Sequence, residues 1–99
     1  MLKISKNTGN KSLFLTLEGR LDTVTAPKLE TEIKTSIEGI ELLSLDFAKL
    51  EYISSAGLRV ILSAQKIMNV QGKMVLKNVN AAVNEIFEVT GFSEILTIE

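Results

Sequence analysis

Ser54, Ser55, Asp22, Asp46 and Arg59 are the side chains whose type and placement could carry chemistry in this 99-residue chain. Ser54-Ser55-Ala56-Gly57 follows a buried-strand pattern and its loop and opens a long helical pattern, so the serine pair falls where a helix begins. A hydroxyl there has a structural use: serine is a preferred N-cap because its oxygen accepts a bond from an unpaired amide of the first turn. It also has a regulatory use as a phosphate acceptor. A phosphate at that place meets backbone amides and the positive end of the helix dipole. Its charge of about −1.5 to −2 changes what the surface binds without unfolding the helix. Ala56 and Gly57 are small and leave room for a partner to approach. The residues by themselves leave both uses open.

The remaining groups divide in the same way. Asp22 follows a strand pattern and precedes a helix, where a carboxylate readily accepts backbone amides. Asp46 ends a buried strand and is expected to order the segment after it. Arg59, in the first turns of the helix after the serine pair, is either solvated or free to meet a partner's carboxylate. Catalysis is not expected. There is no histidine and no cysteine, which removes a Ser-His-Asp triad, a thiol nucleophile, an iron–sulfur cluster and an ordinary structural zinc site. Lys66 or a carboxylate would have to serve as base for Ser55, and no motif places one beside it. There is no Gly-rich phosphate loop, so no cofactor is expected.

Composition narrows the class of partner. Lys and Arg total 11 against 12 Asp and Glu, a net charge of −1, without the basic stripe of a nucleic-acid module. The longest apolar runs, such as Val60-Ile61-Leu62, are far too short to span a membrane, and the start Met1-Leu2-Lys3-Ile4-Ser5-Lys6 lacks a signal-peptide core. A cytoplasmic protein that contacts neither membrane nor nucleic acid is the expectation. Asn10-Lys11-Ser12 matches a glycosylation acceptor, which means nothing without secretion.

The elements that must position these groups follow from periodicity. Leu2 to Ser5 alternates as a short strand, Asn7 to Asn10 supplies turn residues, and Leu13, Leu15 and Leu17 share one face of a second strand. Gly19 to Asp22 then carries the chain out of this hairpin. Leu29, Ile33 and Ile37 mark a helix that Pro27 starts near Thr25 or Ala26 and Gly39 stops. Glu41 to Phe47, apolar on both faces, is a strand buried inside a sheet, followed by a loop from Ala48 to Ile53. The helix after the serine pair runs to about Gln71, with Gly72 as its C′ residue. Lys73 to Lys77 is a strand. Asn80 caps a helix with core face Val83, Ile86 and Phe87, and Gly91 at C′ lets Phe92 pack back on Phe87. Ile95 to Ile98 is a last strand. The 99 residues are therefore expected to form a single α/β domain: a mixed sheet with an N-terminal hairpin, helices mainly on one face, in the order β-β-α-β-α-β-α-β.

Gly19-Arg20-Leu21-Asp22-Thr23-Val24-Thr25-Ala26, Leu45-Asp46-Phe47 and Tyr52-Ile53-Ser54-Ser55-Ala56-Gly57-Leu58, together with Gly72-Lys73 and Thr90-Gly91-Phe92, resemble the STAS domain in its small form, the anti-sigma factor antagonist. The resemblance spans essentially the whole chain. It implies a substrate and not an enzyme. The partner would be an anti-sigma factor that doubles as a GHKL-type serine kinase; the unmodified antagonist binds it and frees a sigma factor. Phosphorylation of the switch serine breaks that complex, and a PP2C-type phosphatase restores it. Ser55-Ala56-Gly57-Leu58 aligns with the family's Ser-x-Gly-Leu, which makes Ser55 the acceptor. Ser54 stands where many phosphorylated members carry Asp, which changes the local charge and makes Ser54 the second choice. Asp22, Thr23, Ser54, Ser55, Ala56, Gly57 and Arg59 are then the partner-binding set. The alternative is a STAS interaction module that is never phosphorylated, or the small subunit of another signalling or transport complex.

Overall fold

A computed structural model describes residues 1–99. The first strand, β1 (Leu2–Gly9), pairs antiparallel with β2 (Ser12–Leu21) through a two-residue turn, Asn10-Lys11. Turn residues at Asn7, Thr8 and Gly9 belong instead to the strand, because both partners continue in register from Leu2↔Gly19 to Gly9↔Ser12. The second strand likewise runs on through Gly19 to Leu21. Lys11 takes a left-handed φ of 62°, and its carbonyl accepts the amides of Glu41 and Leu42, which fixes the entry of the third strand.

Helix α1 (Ala26–Ser36) begins with Pro27 in its first turn, as expected. Strand β3 (Leu42–Ile53) pairs parallel with β2 and with β4 (Lys73–Lys77), giving a sheet of order β1-β2-β3-β4. The expected loop from Ala48 to Ile53 is thus sheet. Two irregularities in the β2–β3 register give β3 an extra residue each time. They place Phe47, Leu50 and Ile53 on the core side at intervals of three. A period of three is neither the strand's nor the helix's, and so it reads as loop. Asp46 Oδ1 accepts the Ala48 amide at 2.9 Å and Asn78 Nδ2 at 3.1 Å, which holds the first irregularity.

Helix α2 (Ser55–Gln71) and helix α3 (Ala81–Val89) follow the expected spans, α3 with Asn80 accepting the Val83 amide at 2.8 Å. Gly72 is not a left-handed cap: its φ is 174°, an extended value open to any residue. Glycine is needed there because a Cβ would collide with the Glu41 carbonyl. Gly91 does take the left-handed conformation, with φ 81°. After it Phe92–Glu94 forms a 3-10 turn, and the expected last strand shrinks to one bridge, Leu76↔Ile98.

Leu13, Leu15 and Leu17 are buried while Phe14 and Glu18 on the other face are exposed. All three helices contribute to the one apolar cluster on the leucine face, 25 residues that include Leu29, Ile33, Ile61, Met68, Val83 and Phe87. Phe87 meets Phe47 at a ring distance of 6.2 Å.

Candidate functional site

Parallel pairing of β2 and β3 brings both carboxyl ends, Leu21 and Ile53, side by side. The chain leaves them into two helix starts, so Asp22 and the serine pair reach the same end of the sheet. The Ser54 amide donates to the Leu21 carbonyl at 2.9 Å and ties the two loops together.

The two serines have different surroundings. Ser54 is the N-cap, with extended backbone (φ −100°, ψ 176°), and its Oγ accepts the Gly57 amide at 3.4 Å. Ser55 is the first residue of α2, is exposed, and its hydroxyl makes no hydrogen bond. Ala56 is half-buried. Gly57 is buried, and a Cβ on it would lie 2.7 Å from Leu21 Cγ and 2.9 Å from Ile53 Cγ1. Glycine at 57 therefore seats the helix on the strand ends instead of clearing space outside. Arg59 is exposed, one turn further along α2.

Asp22 is anchored by half of its carboxylate. Oδ1 accepts the amides of Val24 at 3.0 Å and Thr25 at 3.1 Å, while Oδ2 has only Arg20 Nε, at 3.8 Å. The Thr25 amide bond holds the carboxyl below its ordinary value of 3.8, helped by the Thr25 hydroxyl, the Val24 amide and Arg20. Thr23 is exposed beside it.

Sequence reasoning missed three contributors. Thr25 locks the turn: its Oγ1 accepts the Asp22 amide and donates to the Arg20 carbonyl, both at 2.8 Å. Threonine three residues after aspartate was the available signal for such a turn. Arg20 stacks on Tyr52 with its guanidinium carbon 4.4 Å from the ring centre; only the irregular β2–β3 register pairs them, and no local pattern announces it. Val24, 85% exposed, stands at the rim of an open cleft of about 460 Å³ lined also by Met1, Leu2, Asp22, Thr25 and Lys28.

Fold and site together define an α/β sheet protein that presents a free serine hydroxyl at the same end of the sheet as a fixed carboxylate. The STAS domain profile matches residues 2–99, and the chain belongs to the STAS domain family. It is 35% identical over 99 residues to BtrV of Bordetella bronchiseptica, provisionally named an anti-sigma factor antagonist, covering 98% of this chain and 85% of BtrV. It is 32% identical over 97 residues to the anti-sigma-B factor antagonist of Listeria monocytogenes, covering 95% of this chain and 82% of that one. Among solved structures it resembles the anti-sigma factor antagonist SpoIIAA. The unphosphorylated form gives a TM-score of 0.77 at 18% identity, over 100% of this chain and 87% of SpoIIAA. The phosphorylated form of the Bacillus protein gives 0.76 at 18% identity, over 100% of this chain and 91% of that one. No helix is long and apolar enough to cross a membrane.

Proposed function

We propose that this chain, as one STAS domain over residues 1–99, is a cytoplasmic anti-sigma factor antagonist that exchanges partners through phosphorylation of Ser55. In this reading it acts by binding and catalyses nothing itself. Unmodified, it binds a GHKL-type serine kinase that is also the anti-sigma factor, through Asp22, Thr23, Ser54, Ser55, Ala56 and Arg59, with Gly57 beneath them, and the sigma factor is released. The kinase transfers the γ-phosphoryl group of ATP to Ser55 Oγ; ADP leaves and the hydroxyl proton goes to the kinase's base. A PP2C-type phosphatase hydrolyses the ester and restores the binding form. The observation that carries this reading is the division of labour between the serines: the Ser54 hydroxyl is spent on the cap, and that of Ser55 is exposed and unbonded. Antagonist names on relatives of 32–35% identity support the role.

Phosphate on Ser55 adds charge at a surface that must be desolvated for the partner to bind, so it opposes the complex by desolvation and like-charge repulsion without melting α2. The test is to incubate the chain with its cognate kinase and ATP and map the product by mass spectrometry. Phosphate on Ser55, abolished by Ser55→Ala and retained in Ser54→Ala, is the expected result. Phosphate on neither serine overturns the reading in favour of an unswitched STAS interaction module.

A further inference from the structure

Arg59 is exposed and belongs to none of the four ion pairs of the chain. The 17 residues of α2 include no Asp or Glu, so no carboxylate on its own helix can pair with that guanidinium. It lies four residues after Ser55. Helix residues so spaced share a face, with Cβ atoms about 5–6 Å apart. Every Cα–Cβ bond of a helix tilts toward the N-terminus, and long side chains continue that way. The register therefore directs Arg59 back over the turn that carries Ser55, whose hydroxyl is unbonded.

The other charged groups at this end of the sheet are already engaged or lie on other elements. Arg20 and Asp22 face each other at 3.8 Å, Lys28 Nζ donates to the Leu2 carbonyl at 3.0 Å, and Glu51 is on β3.

Resting on the reading of Ser55 as the acceptor, we propose that Arg59 is the phosphate-holding arm of the switch. Once Ser55 is phosphorylated, the Arg59 guanidinium grips the phosphate within the same chain through charge-assisted N–H···O bonds. In the unmodified chain the same guanidinium is free to meet a carboxylate on the partner. Phosphorylation then acts twice at one interface: it adds negative charge, and it withdraws the cation that the partner's carboxylate used. Arginine suits the task better than lysine because its planar fork can make two parallel bonds to phosphate.

The test uses the full chain with phosphoserine installed at position 55 during translation, so that no kinase is needed, and follows the phosphate by ³¹P NMR across pH. Phosphoserine has a second pKa of about 6, and a neighbouring cation favours the dianion. The wild-type phosphate is expected to titrate about half a pH unit below that of Arg59→Gln. Arg59→Lys is expected to retain part of the difference, and Lys66→Gln, further along α2, all of it. Equal titration of wild type and Arg59→Gln, or an equal effect of Lys66→Gln, overturns the proposal. Because the phosphate is installed directly, a kinase that ignores Ser55 would overturn the functional reading while leaving this measurement to decide the role of Arg59.

Discussion

The Ser54 hydroxyl accepts a backbone amide, and that of Ser55, one position on, faces solvent unbonded. Residue types alone place a serine pair at a helix start without dividing cap from free hydroxyl; only the family resemblance singles out Ser55. The division depends on which residue takes the extended N-cap backbone and which the first helical turn. Asp22 shows the same limit. Its turn chemistry was legible, but not that one carboxylate oxygen is consumed by Val24 and Thr25 while the other faces only Arg20. The folded-state pKa of Asp22 lies below 3.8, first because of the Thr25 amide. A carboxyl lowered by folding contributes stability above its unfolded pKa and loses that contribution as pH falls through the folded value. Asp22→Asn should therefore be less stable than wild type at pH 7. The difference should shrink as pH is taken from about 5 to below the 3.8 of the unfolded group. Urea unfolding at a series of pH values measures it, and a gap that does not change with pH would show that the ionised carboxylate is not what stabilises the turn.

Helices were read more accurately than strands, for identifiable reasons. Pro27, the serine pair and Asn80 mark helix starts chemically, and each sits at the start of the helix observed. The second half of β3 does not read as strand because its irregular register spaces Phe47, Leu50 and Ile53 by three, and the expected last strand is only the single bridge Leu76↔Ile98. Those β3 irregularities belong to the site, since they deliver Tyr52 beneath Arg20 and Ile53 beneath Gly57. Gly57 shows how tightly α2 is seated: a methyl there would meet Leu21 Cγ at 2.7 Å. Gly57→Ala should cost about 1–3 kcal/mol by overpacking, seen as a lower urea midpoint with unchanged slope. A neutral result would mean that the helix start is loosely held on the strands.

The sheet gathers all three helices over one apolar cluster and delivers two helix starts to the carboxyl ends of two adjacent parallel strands. Ligands of open α/β sheets bind at such ends, because the loops there can vary while the strands beneath them stay fixed. Leu21 and Ile53, at 0% and 2% exposure, form the floor, and the exposed Thr23, Val24 and Ser55 lie above it. A change confined to the outer layer should alter binding and leave the fold alone; a change in the cap should act mainly on stability. Ser55→Asp adds a charge where no native bond is lost. It should weaken binding to the kinase proposed above as its partner by about tenfold or more, since a like-charge or unpaired charge at a packed interface costs several kcal/mol, with the urea midpoint nearly that of wild type. Ser54→Ala should lower stability by about 0.5–1 kcal/mol, the low end for a cap because its bond is long at 3.4 Å, with a loss of affinity for the proposed kinase well below that of Ser55→Asp. Isothermal titration and urea unfolding on both variants separate the two effects. If Ser55→Asp instead lost stability in step with affinity, the serine would be part of the fold's support and not a switch placed on top of it.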